Sequence, residues 1–178
     1  SLAGNYHKEL VDKIYDYCIA WKQQFTPEDL ALRNSKGWIS TSYTACPDAM
    51  PNVGSNNDPI EATYLPLYCI ANGFNGFLRW AWMNWTDNPM YDSRFKLFTP
   101  GDTYIVYPGN HSSRRFEHII RGVQNVAKIE TLRKEYKQKR NQKAFQLLED
   151  ALSQFKNPTP NEAELRESIY KIESLLNK

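Results

Sequence analysis

The sequence predicts an α/β fold, the C-terminal part of a (β/α)8 barrel of the TIM type followed by a helical tail. Helices of about ten residues alternate with short buried strands, the order of parallel β-α units. The strands read as apolar on both faces, as strands of a helix-covered parallel sheet do. Composition then changes near residue 122. All eight glycines lie at or before Gly122 and all five tryptophans at or before Trp85, after which Lys, Glu, Gln and Leu dominate. At 178 residues the chain is short for a complete barrel, which takes roughly 200 residues or more, typically ~250. The unit count matches about the second half of one. Residues 1–136 are therefore read as the C-terminal half of the barrel, and 137–178 as a C-terminal helical hairpin.

The elements follow from local chemistry. His7 to Asp16 suits a short helix and Tyr17 to Trp21 a short buried strand. Thr26-Pro27-Glu28-Asp29 starts a helix, with Thr as N-cap, Pro at the first helical position and acids in the first turn. It should run to about Ser35 and stop at Gly37. Trp38 to Cys46 is β-branched and aromatic, hence a strand. Cys46 to Pro59 holds three prolines and no apolar period, so it reads as a long loop. Asp58-Pro59-Ile60-Glu61 opens a helix running to about Asn72, with Pro66 expected to kink or interrupt it. Gly76 to Trp85 and Thr103 to Tyr107 read as strands. Ser112 or Ser113 caps a long helix with Phe116, Ile119, Ile120, Val123 and Ile129 on one face. The tail adds Gln142 to Phe155 and, after Asn157 to Asn161, a second helix with Leu165, Ile169, Ile172 and Leu176 in line. Asn161 and Glu164 form a capping-box pattern.

Composition narrows the function. Lys and Arg number 22 against 20 Asp and Glu, a balance without the basic footprint of a nucleic-acid or anionic-membrane binder. No 18-residue apolar run is present, so no membrane span is expected. Ser1 to Tyr6 has neither the basic start nor the apolar stretch of a signal peptide, and reads as the middle of something longer. Cys18, Cys46 and Cys69 form no CxxC pair and have no His at ligand spacing, so free thiols are expected rather than disulfides or zinc. Aromatics make up 13% of the chain, with eleven Tyr and five Trp. Such rings suit a surface that binds something flat and hydroxylated. An aromatic core accounts for the same composition.

Barrel enzymes keep their sites on the loops that follow strands. Two stretches qualify: Ser42 to Asn52, and Gly76 to Trp85 with Asp87, Asp92, Arg94 and Phe95 beyond. As a strand, the second would place Leu78, Trp80, Trp82 and Asn84 on one face, and Arg79 and Trp85 on the other. Tryptophan stacks on the C–H face of a pyranose while Asn, Asp and Arg bind hydroxyls. Three tryptophans in six residues could equally fill the barrel and its helix layer.

Gly76-Phe77-Leu78-Arg79-Trp80-Ala81, Asp92-Ser93-Arg94-Phe95, Pro100 to Gly109 and Arg115-Phe116-Glu117 closely resemble the C-terminal half of the catalytic domain of glycoside hydrolase family 123, also known as domain of unknown function 4091. Leu2 to His7 and Tyr43-Thr44-Ala45-Cys46 with Pro51-Asn52 are similar to that family too, so the resemblance covers roughly residues 1 to 133. It implies part of a secreted or periplasmic bacterial glycosidase, an exo-acting β-N-acetylgalactosaminidase that uses substrate assistance. The substrate's 2-acetamido oxygen attacks the anomeric carbon to form an oxazoline, while an adjacent Asp-Glu pair orients the amide and protonates the leaving oxygen. No cofactor or metal is implied, and the partner is an N-acetylhexosamine-containing glycan.

The chain departs from the family in two respects: Val126-Ala127-Lys128 lacks the glutamate that usually precedes the lysine, and no Asp-Glu pair stands at a strand end. Its only adjacent acids are Glu28-Asp29, which open a helix, and Glu149-Asp150, inside a tail helix. The catalytic pair is therefore expected upstream of Ser1, with no catalytic residue in this chain. Tyr43 is carried over as the candidate for the substrate amide, Trp80, Trp82 and Trp85 for the wall of the −1 subsite, and Asn84 for a hydroxyl. A buried tyrosine satisfied by backbone is the plain alternative for Tyr43, and a turn role for Asp102. A non-catalytic carbohydrate-binding module, keeping the aromatics without the acids, is the competing function; a helical scaffold without ligand is a third.

Overall fold

The computed structural model describes residues 1–177, Asn110 by its backbone alone. Four strands, β1 (Leu2–Gly4), β2 (Asp16–Ala20), β3 (Ile39–Tyr43) and β4 (Gly76–Phe77), precede most of five helices. The helices are α1 (Pro27–Ser35), α2 (Glu61–Ala71), α3 (Arg114–Gln138), α4 (Gln142–Ser153) and α5 (Glu162–Leu176). The strands form one parallel sheet in sequence order, β1-β2-β3-β4. Among the described residues the outer edges of β1 and β4 pair with no further strand. No described helix is long and apolar enough to cross a membrane.

The helix boundaries are where local capping puts them. Thr26 and Asp29 make a reciprocal capping box on α1, with the Asp29 N–H donating to Thr26 Oγ1 at 3.2 Å and the Thr26 N–H to Asp29 Oδ2 at 3.4 Å. Asn161 and Glu164 do the same for α5, both contacts at 3.0 Å. Ser113, rather than Ser112, caps α3 through the Phe116 N–H at 3.1 Å. Pro66 does not interrupt α2, which runs continuously and stays buried from Glu61 to Cys69. The close packing of α3 explains how: a Cβ on Gly122 would stand 2.7 Å from the Thr63 carbonyl and 3.0 Å from Pro66 Cγ. Only hydrogen fits there.

Two expected elements are corrected. His7 to Asp16 holds a single 3-10 turn, Lys8–Leu10, instead of a helix. Carbonyls that would continue a helix are taken by Arg33, whose Nη1 donates to Val11 O at 2.8 Å and Ile14 O at 2.7 Å, and Nη2 to Tyr15 O at 3.1 Å. Nor is β3 apolar on both faces. Ser40 and Ser42 are its fully buried positions, with Thr44 buried just beyond its end, and Ser40 Oγ accepts from Arg33 Nε at 2.7 Å. That face therefore lies under the helices, and its small hydroxyls give α1 and α2 room to approach. Thr41 and Tyr43, on the opposite face, are half-buried.

Arg33 is fully buried, and among the described residues no carboxylate pairs with its guanidinium. It also donates to Ile39 O, and the rings of Phe25, Trp38 and Tyr17 lie 5.3, 5.6 and 5.7 Å from its central carbon. Four carbonyls from two segments and one hydroxyl thus converge on one cation. Arg33→Ala should orphan them all and leave a cavity, at a cost of about 3–5 kcal/mol, the scale of breaking a buried ion pair. Denaturant unfolding measures it. A loss below about 1 kcal/mol, the ordinary worth of one neutral hydrogen bond, would contradict this reading.

The tail helices rest on the helix layer, against α2 and α3. Leu148, Ala151, Leu152, Phe155, Leu165, Ile169 and Ile172 are buried in the same hydrophobic cluster as Tyr17, Ile19 and Tyr64. The junction between α4 and α5 is also pinned by side chains of the first part. Trp21 Nε1 donates to Pro158 O at 2.8 Å, and the Tyr64 hydroxyl to Asn157 O at 2.9 Å.

Candidate functional site

Loops that leave the carboxyl ends of β3 and β4 meet above the sheet. Tyr43 ends β3 on the face away from the helices, where its carbonyl accepts the Trp21 N–H at 2.8 Å. Among the described residues its hydroxyl has no hydrogen-bond partner. Burial pushes the phenol up from its usual value, and Cys18 and Asp48 add to this. At neutral pH Tyr43 is therefore an uncharged donor, the state needed to bind an amide oxygen.

The loop after Tyr43 is held by two buried side chains. Asn52 Nδ2 donates to Ala45 O at 2.9 Å and Asp48 O at 2.8 Å. Glu61, at the start of α2, accepts from the Asn52 N–H at 2.9 Å, Asn57 Nδ2 at 2.8 Å and the Asp58 N–H at 3.0 Å. Burial pushes the Glu61 carboxyl up, against these hydrogen bonds. The Pro51-Asn52 motif thus shapes the loop.

The predicted strand from Gly76 to Trp85 is corrected here. Only Gly76–Phe77 pair with β3 as a named strand, continued by one hydrogen bond from the Leu78 N–H to Ser42 O at 2.9 Å. Arg79 then turns inward and is buried, its Nη2 donating to Asp102 Oδ1 at 2.7 Å and to the Asp102 carbonyl. Residues 82–85 instead meet the 103–106 segment, through a Met83–Tyr104 antiparallel bridge and an Asn84 N–H to Thr103 O bond of 3.1 Å. Thr103 to Tyr107 is likewise no regular strand, only isolated bridges at Tyr104 and Tyr107. The period-two face of Leu78, Trp80, Trp82 and Asn84 does not exist.

The three tryptophans therefore part company. Trp80 is 46% exposed and stacks on Phe98, ring centroids 5.2 Å apart and planes 27° apart. Trp82, 36% exposed, meets Phe116 edge to face at 6.0 Å and lines an apolar groove with Ile70, Phe77, Ile119 and Val123. Trp85, 40% exposed, donates Nε1 to Val106 O at 2.8 Å. Asn84 is exposed beside it.

The two loops are joined into one body. Thr99 Oγ1 donates to Cys46 O at 2.9 Å, and the Ser55 N–H to Pro100 O at 2.7 Å. Arg115, buried at the start of α3, donates Nη1 to Val53 O at 2.6 Å and Gly101 O at 2.8 Å. Gly101 has φ +75°, and a Cβ there would meet Ser55 Oγ at 2.1 Å. Asp92 and Arg94 pair with each other at 2.7 Å, and the guanidinium holds the carboxyl down at about 2. They fold the loop on itself, as exposed Asp and Arg commonly do.

Neither pair of adjacent acids ends a strand. Asp29 is buried at the N-terminus of α1, where it accepts the Tyr6 hydroxyl at 2.7 Å and pairs with Lys8. Glu149 pairs with Arg133 at 2.6 Å on α4. Sequence reasoning missed Arg79, Asp102 and Phe98 as a group. Each stands in or beside a quoted motif, but their contacts span 18 to 23 residues and have no local period. Among the described residues no three His, Cys, Asp or Glu side chains gather as metal ligands do.

Comparison with known proteins follows this geometry. The family model for the glycoside hydrolase 123 catalytic domain matches residues 1–132. No curated protein matches. Among solved structures, a family 123 glycoside hydrolase from Clostridium perfringens, described in work on glycolipid glycan hydrolysis, superposes with a TM-score of 0.80 at 23% identity. The alignment covers 98% of this chain and 34% of that one, so the chain spans about a third of the solved relative's length. The family match takes in both loops above the sheet and ends ahead of α4 and α5. This chain belongs to glycoside hydrolase family 123, within its catalytic domain.

Proposed function

We propose that the chain is the C-terminal half of the (β/α)8 barrel of an exo-acting β-N-acetylgalactosaminidase-like enzyme, with the catalytic Asp-Glu pair upstream of Ser1. The observation that carries this is the face of the sheet that no helix of this chain covers. Helices cover one side of four parallel strands, and the other side presents Tyr43 as a neutral donor below a loop body carrying Trp80, Trp85 and Asn84. Half of a barrel has this form: one covered face, one concave face, and two strand edges without partners. The apolar groove beside β4, about 500 Å3 and lined by Trp82, Ile70 and Val123, fits the seat of a further β-α unit. Glycan as substrate class follows family membership.

In this reading the acetamido oxygen of the sugar bonds to the anomeric carbon as the glycosidic C–O bond breaks. The leaving oxygen takes its proton from the upstream acid, and water then opens the oxazoline. Tyr43 donates to the acetamido group and helps hold it against the anomeric carbon. Trp80 and Trp85 form the candidate wall and Asn84 a hydroxyl contact.

Paired chromogenic substrates test the proposal on the full-length enzyme. A β-N-acetylgalactosaminide should be hydrolysed, and the matching β-galactoside, which lacks the internal nucleophile, should not. Tyr43→Phe should lower kcat/KM about 3- to 10-fold, the worth of one neutral hydrogen bond. Comparable rates on both glycosides would overturn substrate assistance.

A further inference from the structure

A ring binds a sugar face well only if its plane is fixed before the sugar arrives, because ordering it on binding costs affinity. The tryptophans differ in this respect. Trp80 Nε1 donates to Asp102 Oδ2 at 3.1 Å, while Oδ1 of the same carboxylate holds buried Arg79 at 2.7 Å. Asp102 is itself 3% exposed and closes a turn through its N–H to Thr99 O at 2.9 Å. Phe98 covers one face of the Trp80 ring. It sits on a tight hairpin with Phe95, which stacks on it at 6.3 Å and 30°. With its edge tied and one face backed, Trp80 offers a single free face to solvent.

We propose that Trp80 is the stacking platform of the carbohydrate site, and that Asp102 is its positioning residue, with Phe98 as its backing. This rests on the carbohydrate reading above and names the ring that carries it. Trp82 is a packing residue of the helix layer, held edge to face by Phe116. Asp102 does two jobs with two oxygens. The ion pair with Arg79 holds the carboxylate in place, and the second oxygen accepts from the indole N–H. Asparagine can still accept from Arg79 but turns an N–H2 toward the indole N–H, donor against donor. Asp102→Asn therefore releases the ring while leaving an acceptor for Arg79 Nη2.

The test is titration of the 15N-labelled full-length enzyme with methyl 2-acetamido-2-deoxy-β-galactopyranoside, following the indole N–H resonances. Trp80→Phe identifies the Trp80 signal. In the unsubstituted enzyme the sugar should shift that signal. Asp102→Asn should weaken binding about tenfold, the low end for a hydrogen bond to a charged group. The same substitution in a Trp80→Phe background should cost nothing further, because Asp102 acts through the indole; a merely structural role would cost the same in both backgrounds. Phe98→Ala serves as a second variant should Asp102→Asn not fold, and should weaken binding several-fold. Unchanged binding in both variants, or an equal loss in the Trp80→Phe background, would overturn the positioning role. A shift of Trp82 or Trp85 without Trp80 would overturn the choice of platform and leave the carbohydrate reading standing. Silence of every indole would remove both.

Discussion

The purified 178-residue chain should leave a chromogenic β-N-acetylgalactosaminide unhydrolysed, at the rate of a Tyr43→Phe control. The reason is proton supply. General acid catalysis is worth about 10²–10⁴ in rate, and an acid able to give it needs a carboxyl held above its usual range near the sugar. Glu28 and Asp29 open α1, and Asp29 is the wrong kind of acid. Burial raises its carboxyl, but hydrogen bonds from Lys8, Tyr6 and the Thr26 backbone prevail and hold it below the usual range. Glu149 is spent on Arg133 across α3 and α4. Among the described residues Glu61 is the one buried acid whose carboxyl is pushed up, yet it is occupied by three N–H donors of its own loop. Turnover by this chain above the control would mean that one of these acids reaches the glycosidic oxygen, and would remove the upstream pair from the proposal.

Truncation after Lys139 should cost most of the stability of the chain. It removes seven buried apolar residues, Leu148, Ala151, Leu152, Phe155, Leu165, Ile169 and Ile172, whose large members contribute about 1.5–3 kcal/mol each. The sum rivals the whole stability of an ordinary domain, about 5–15 kcal/mol. It also exposes the Trp21 and Tyr64 polar ends that Pro158 and Asn157 satisfy. In the full-length enzyme the melting temperature should fall by more than about 10 °C while KM changes little, because α4 and α5 pack on the helix side of the sheet. Phe155→Ala, at about 3–5 kcal/mol, is the gentler version. A large rise in KM at unchanged stability would place the tail at the site.

What the sequence alone made legible here is what neighbours in sequence decide. Thr26 as N-cap and the Asn161–Glu164 capping box rest on residues within three positions of each other, so both could be read directly and these helices begin where expected. Ser113 over Ser112 needed the actual φ of the residue, −126° in the extended region, which two equivalent serines do not reveal. The adjacent acids were also readable, since a helix opener and a mid-helix pair differ in their flanking residues. Tyr43 could be placed at the end of a strand because Trp38, Ile39, Thr41 and Tyr43 mark the segment as extended, the serines between them taking the other face.

The tryptophan stretch shows where this ends. Residues 76–85 carry every local mark of a strand, but a strand forms only where a partner offers hydrogen bonds along its length. Beyond Leu78 no partner continues; Asp102 captures Arg79, and the Thr103–Val106 segment pairs with residues 82–85. That competition runs between groups about 20 residues apart, so no local period records it. It separates Trp80 from Trp82. Arg33 was equally silent, an ordinary helix cation by position until four carbonyls from segments on either side of α1 closed around it. The sequence by itself determined the α/β class, the caps, the apolar faces of the tail and the family. Only the tertiary structure decided which ring is tied to Asp102, which faces the helices, and which buried arginines hold the loops. The polar outcomes among these rest on groups removed from water finding acceptors that lie far away in sequence.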